Sequence, residues 1–261
     1  MSRSKSLGFV ALIVAMAVAN ASQGEAAKCE RASFHAILDV GHTPEEPGAT
    51  SARGVVEYDF NLRLAQRIEH TMQARGFEKT TLLVTRGTAQ PALLGRVNKA
   101  NAARADLFIS IHHDSVPEAM LASWSFLGAE GRHNDQFKGH SIFVSNQHPR
   151  YARSLSFART LGLALKTRGL EYTPHYTERI MGARRRQLVD REAGVYRFDK
   201  LAVLIGTKMP AVLLEAGSIV HRDEELLMES PERQAVIAEA VAEAVEKFCA
   251  GNKPRRRAIS R

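Results

Sequence analysis

Three short apolar runs in this chain each end on a residue able to bind a metal or carry negative charge. They read Ile37-Leu38-Asp39-Val40-Gly41-His42, Leu107-Phe108-Ile109-Ser110-Ile111-His112-His113-Asp114 and Ala211-Val212-Leu213-Leu214-Glu215. The second is apolar on both faces over residues 106–111, as central strands of a covered sheet are. Helical patterns alternate with the runs. In residues 55–75, Leu62, Ala65, Ile68 and Met72 recur at helical spacing and Gly76 supplies the stop. Residues 91–104, 149–168 and 231–248 give further helices; residues 34–40, 80–85, 140–145 and 211–214 give further strands. The alternation predicts an α/β fold: a single domain with a mostly parallel, twisted sheet flanked by helices on both faces. Residues 116–139, which hold Trp124, look like an insertion at the ligand-bearing edge. Residues 173–194 form a long polar stretch, and 195–205 read as either a helix or a strand.

The first residues have the form of an export signal, which we place at residues 1–27. Arg3 and Lys5 begin it, an apolar stretch covers residues 7–19, and Ala19-Asn20-Ala21 is a small-x-small cleavage site. The apolar stretch is roughly half the ~20 residues that a membrane span requires. We therefore expect an exported protein, periplasmic or extracellular, with no transmembrane segment after signal removal. The remainder, about 235 residues, suffices for one domain, placed at residues 33–250. Residues 251–261, with Lys253, Arg255, Arg256 and Arg257, form a basic tail expected to be disordered. Net charge is +8. Export argues against nucleic acid as the partner of that charge and favours an anionic envelope polymer or membrane surface. Cys29 and Cys249 lie near the two ends of the domain. In an oxidising compartment they can pair or remain two thiols, and the sequence leaves both readings open.

Ligands of open α/β sheets gather beyond the carboxyl ends of strands, where His42, His112 and Glu215 all stand. Glu57 opens the helical pattern of residues 55–75, a place the helix dipole favours for a carboxylate even without a metal. His112 and His113 are adjacent, and strand geometry sends them to opposite faces, so one at most faces a metal. Glu215 ends a buried strand and needs a partner or a task. Two imidazoles and two carboxylates suit a hydrolytic zinc site: three ligands, one open position and a free carboxylate.

Seven ordered motifs make the chain resemble the zinc-dependent N-acetylmuramoyl-L-alanine amidases of the amidase-3 type, which act on bacterial peptidoglycan. They are Asp39-Val40-Gly41-His42, Pro47-Gly48-Ala49, Glu57 with Asn61, Thr85-Arg86, Arg96 through Ala100-Asn101, Ser110-Ile111-His112-His113-Asp114, and Pro210 to Gly217. The resemblance implies Zn2+ held by His42, Glu57 and His112, with Glu215 as the catalytic carboxylate and His113 at a variable position. It implies cleavage of the amide between N-acetylmuramic acid and the first L-alanine of the stem peptide. We expect a monomer, and an activator protein remains open. Thr43-Pro44 replaces the family's Gly-Gly after the histidine, and Gly217 to His221 also departs from its pattern. Arg184, Arg185 and Arg186 are candidates to bind stem-peptide carboxylates, against the alternative of a solvated basic loop. Trp124 and Phe126 can stack on a sugar or anchor the insertion, and anchoring is the favoured reading. Arg86 and Arg96 are expected to hold the fold through ion pairs.

Overall fold

A computed structural model describes residues 29–251. The expected export signal, and all of the expected tail except Gly251, lie outside the described residues. In chain order the elements are β1 (Ala36–Val40), α1 (Glu57–Ala74), β2 (Thr81–Leu83), α2 (Ala89–Ala103), β3 (Leu107–Asp114), β4 (Ala122–Phe126), β5 (Ala129–His133), β6 (Ser141–Val144), α3 (Tyr151–Lys166), β7 (Gln187–Asp190), β8 (Val195–Arg197), α4 (Ala202–Gly206), β9 (Ala211–Ser218), α5 (Arg222–Glu229) and α6 (Pro231–Ala250). Seven strands form one sheet in the order β2-β1-β3-β9-β6-β8-β7. The β1–β2, β1–β3, β3–β9 and β6–β8 pairings are parallel. The β6–β9 and β7–β8 pairings are antiparallel.

Strand alternation explains the two layers of helices. Ala36, Leu38 and Val40 of β1 face the same core as Leu107, Ile109 and Ile111 of β3, covered by α1, α3 and α6. Ile37 and Phe108 point the other way, into a smaller core beneath α2 and α4. On α1 the buried positions include Phe60, Leu64, Ala65, Ile68 and Met72, a stripe at helical spacing. Each fully buried Leu or Ile contributes roughly 2 kcal/mol through removal of apolar surface from water. The chain ends are tied by a Cys29–Cys249 disulfide, Cα atoms 5.1 Å apart.

Several elements differ from the sequence expectation. The last strand runs four residues further than expected and lies inside the sheet between β3 and β6. That position makes Glu215 the register partner of His112. Residues 116–139 are ordered around a hairpin, β4–β5, in which Trp124 faces Gly131. Residues 195–205 contain both alternatives, β8 and then α4. The polar stretch 173–194 carries two short 3-10 turns, His175–Thr177 and Arg179–Arg184, before β7. The α5 helix had no forecast; its opening turn is acidic, and the His221 ring caps it by accepting from Asp223 and Glu224 N–H.

Candidate metal centre and its cleft

The site lies at the carboxyl-terminal side of the sheet: His42 follows β1, whereas His112 and Glu215, expected beyond strand ends, lie inside β3 and β9 because both strands run on past the apolar runs. The Gly41 N–H donates to Ile111 C=O at 2.9 Å, extending the β1 ladder by one residue. His42 follows, its ring centroid 4.9 Å from that of His112. Gly41 is required for this approach, since a Cβ there would stand 2.5 Å from the His112 ring.

Glu57 arrives from α1, whose first turn has no side-chain cap. The Pro47-Gly48-Ala49 loop replaces one: Ala49 C=O accepts from Glu57 N–H at 2.8 Å and Pro47 C=O from Tyr58 N–H at 2.9 Å. The turn needs φ +83° at Gly48, where a Cβ would meet Glu57 Oε2 at 2.5 Å. So placed, Glu57 is 4% exposed. Its Oε2 is 3.0 Å from His42 Nε2 and its Oε1 3.0 Å from His112 Nδ1. The possible ligand atoms of His42, Glu57 and His112 all lie within 4.8 Å of one another.

A second layer fixes the carboxylate. Asn61, one helical turn on, donates to Glu57 Oε1 at 3.2 Å and to Gly41 C=O at 3.3 Å. His113 N–H reaches Glu57 Oε1 at 3.3 Å, Ala49 N–H reaches Oε2 at 3.1 Å, and the His113 ring pairs with Asn61 Oδ1 at 2.8 Å. His113, which sequence reasoning set aside, therefore supports the site from behind. Burial pushes its imidazole down to about 3, so it stays neutral. Burial works to raise the Glu57 carboxyl, but hydrogen bonds and charge from His112 and His42 prevail and hold it below the usual range.

The opposite wall of the cleft is different. His42, Glu57, His112, Asp114, Tyr176, Arg184 and Glu215 line a volume of about 370 Å³. Glu215 Oε2 is buried and has no hydrogen-bond partner among the described residues. Burial pushes Glu215 well above the usual range, repulsion from Asp114 and Glu57 adds to this, and Arg184 opposes it. Asp114 Oδ1 accepts from Tyr176 O–H at 2.8 Å. Burial raises the Asp114 carboxyl as well. Tyr176 and His175, which the sequence left within a polar stretch, are both buried here. No local pattern signals their burial, which comes from Phe137, Phe143 and Tyr196 packing on them from elsewhere in the chain.

Of the three arginines, Arg184 lines the cleft and donates to Ser115 C=O at 3.3 Å. Arg186 lies over the Phe198 ring, 3.6 Å from its centroid. Arg185 is exposed and outside the lining. Trp124 stacks on Phe126 at 5.6 Å and donates its indole N–H to Ala52 C=O at 2.8 Å, so these rings anchor the hairpin.

Residues 36–247 match the family model described as N-acetylmuramoyl-L-alanine amidase. The chain belongs to this family. Among curated amidases, AmiC of Neisseria meningitidis serogroup B is 29% identical over 226 residues, covering 81% of this chain and 52% of its own length. The endolysin of Bacillus phage SPP1 is 26% identical over 212 residues, covering 81% of this chain and 64% of its own length. The chain thus spans roughly half to two thirds of these relatives. Among solved structures, the amidase Ami1 of Mycobacterium smegmatis shares the fold with a TM-score of 0.64 at 20% identity, over 85% of this chain and 99% of that one. The CwlD amidase of Clostridioides difficile, solved in complex with the GerS lipoprotein, has a TM-score of 0.60 at 19% identity, over 84% and 100%. Within this amidase-family chain, Asp39, Asn61, Arg96 and Ser110 from the motifs sit around the ligand set rather than facing the cleft. Asn101 serves elsewhere, joining α2 to the turn before β9 through Gly206 C=O and Lys208 N–H.

Proposed function

We propose that this amidase-family chain hydrolyses the amide between N-acetylmuramic acid and L-alanine in peptidoglycan, with zinc held by His42, Glu57 and His112. The observation that carries the reading is the convergence of those three donor sets on a cleft that also holds Glu215, whose Oε2 has no hydrogen-bond partner among the described residues. Two imidazole nitrogens and a carboxylate oxygen are a donor set suited to zinc, and they leave the cleft side open. A bound zinc ion supplies Lewis acidity toward a carbonyl oxygen and toward water.

The chain's own groups do the rest. Glu57 stays anionic because hydrogen bonds and charge from His112 and His42 outweigh its burial, and Asn61, His113 and Ala49 hold its carboxylate in place. Glu215, with a free and basic carboxylate, takes the proton of the attacking water and passes it to the leaving nitrogen, as proton transfer requires of a group with a raised pKa. Arg184 faces the stem peptide and offers its guanidinium to a carboxylate there. The Cys29–Cys249 disulfide fits an exported protein in an oxidising compartment. Digestion of purified peptidoglycan, followed by mass spectrometry with and without a chelator, tests the reading. Free stem peptides with intact glycan, abolished by the chelator, are expected. Loss of only a terminal stem residue indicates a different zinc peptidase, and intact peptidoglycan with the protein bound indicates a wall-binding module.

A further inference from the structure

His42 has φ +66°, a left-handed backbone conformation uncommon for a residue with a side chain. Such a residue persists when its surroundings over-determine it. Here the His42 carbonyl accepts from Nη2 of Arg96. Arg96 comes from α2, is 2% exposed, and reaches Asp39 Oδ2 with Nη1 at 3.4 Å. Asp39 is itself pinned, because Ser110, its register partner on β3, donates to the same Oδ2 at 2.7 Å. A chain of contacts thus runs from two central strands through one guanidinium to the backbone of His42.

The same ion pair is a poor device for stability alone. Asp39 Oδ1 and Arg96 Nε are buried with no hydrogen-bond partner among the described residues. Buried pairs left partly unsatisfied are often matched or bettered by apolar residues. The contact with His42 gives this pair another purpose. A second clasp enters from the same side: Thr43 Oγ1 donates to Gly87 C=O at 2.8 Å, and Gly87 N–H donates to Glu45 Oε2 at 2.9 Å. Thr43, which replaces a glycine of the family pattern, thereby fastens the residue after His42 to the loop that precedes α2.

We propose that Arg96 is the positioning residue for His42, holding its carbonyl so that the imidazole faces Glu57 and His112 before any metal arrives. The inference rests on the metal reading above. Purified wild type, Arg96→Lys and the double variant Asp39→Asn/Arg96→Met are titrated with zinc against a chelator of known affinity, and the far-UV spectrum of each metal-free protein is recorded. The double variant removes both buried charges together, so that neither is stranded. It is expected to keep the metal-free spectrum while binding zinc about 10- to 100-fold more weakly, as loss of a residue that orients a ligand does. Arg96→Lys, which retains a donor, is expected to fall between the two. A folded double variant with zinc affinity within about threefold of wild type, below that range, overturns the inference, as does a double variant that no longer folds without metal. Wild type that binds no zinc overturns the metal reading and this inference with it.

Discussion

Glu57 and Glu215 share one cleft and have opposite surroundings. Glu57 sits on the wall built from α1 and the 41–49 loop, and every donor in reach is turned toward it: Asn61, the His113 and Ala49 amides, and two imidazoles. Glu215 sits on the wall built from β9 and the 173–184 segment, with Oε2 buried and without a hydrogen-bond partner among the described residues and Asp114 beside it. One carboxyl is held low and the other is pushed high by the same protein interior. In the proposed mechanism the low one serves as a fixed anion and the high one as a proton carrier, the usual division between carboxyls whose surroundings drive them apart. The asymmetry comes from which wall supplies hydrogen bonds, since both residues are acidic and both are shielded from water.

Exchanging the tasks should fail in two distinguishable ways. Glu215→Ala is expected to retain zinc after gel filtration while peptidoglycan turnover falls by about 10³ or more, near the upper range for losing a general acid–base. Glu57→Ala is expected to lose the metal itself. Metal content by atomic absorption, read beside release of stem peptides, checks both. Metal loss from the Glu215 variant, or retention by the Glu57 variant, would remove the distinction between the walls.

The next effect concerns what keeps Glu57 fixed. Asn61→Ala deletes the side chain that joins Glu57, Gly41 and His113, and leaves the His113 ring without its partner. Zinc affinity is expected to drop about 10- to 100-fold, the usual cost of losing a group that orients a ligand. Chelator competition measures it, and an unchanged dissociation constant would mean that the ligand wall is fixed by packing alone.

The two walls were not equally legible in the sequence. His42 follows a strand, Glu57 starts a helix, and His112 and Glu215 each close an apolar run, so periodicity locates all four and the ordered motifs name them, although β3 and β9 continue beyond the last two. The contact of Asn61 with Glu57 follows from their spacing of one helical turn, but the role of His113 depends on how α1 packs on β3, a tertiary fact. The second wall was hidden for a different reason. His175 and Tyr176 lie in a polar stretch with no period, and their burial depends on Phe143, Tyr196 and Phe137 arriving from distant parts of the chain. The run Ala211–Leu214, apolar on both faces, suits an interior strand, but the neighbours of β9 were out of reach, because pairing order is set by crossovers. In the hairpin of residues 122–133 the first strand, Ala122-Ser123-Trp124-Ser125-Phe126, alternates apolar and polar residues, but the second, Ala129–His133, has no such pattern; Leu127 and Gly128 take the positive φ of the turn.

Acid should separate the walls further. His140 opens β6 and ties residues 171–173, the root of the second wall, through His140 N–H to Glu171 C=O and Thr173 N–H to His140 C=O. Burial pushes its imidazole down to about 4, with backbone groups of Ala193 and Glu171 pulling partly back. The unfolded chain takes up this proton below about 6.5 and the folded chain resists until about 4, so the stability is complete above 6.5 and drains as pH falls between them. At pH 5 the loss from this one group is about 2 kcal/mol. Denaturant midpoints at pH 7.5 and pH 5 should therefore lie closer together for His140→Gln than for wild type, whatever the variant's absolute stability. Parallel shifts in the two proteins would place the acid sensitivity elsewhere.

The smallest effects distinguish residues within the basic segment of the second wall. Arg184 faces the cleft and is the group there that opposes the raised Glu215 carboxyl, so Arg184→Ala should act on KM and on the pH profile together. An exposed substrate–carboxylate contact is worth about 1 kcal/mol, or roughly fivefold in KM. With the guanidinium gone, repulsion from Asp114 and Glu57 is no longer opposed by it, and the pH at which activity rises should move upward. Arg185→Ala should change neither quantity, because its side chain is outside the lining. Arg186→Ala should cost stability through the lost contact with Phe198 and leave KM near the wild-type value. Equal KM effects at all three positions would mean that the segment acts by its summed charge, and the placement of Arg184 in the cleft would then carry no special weight.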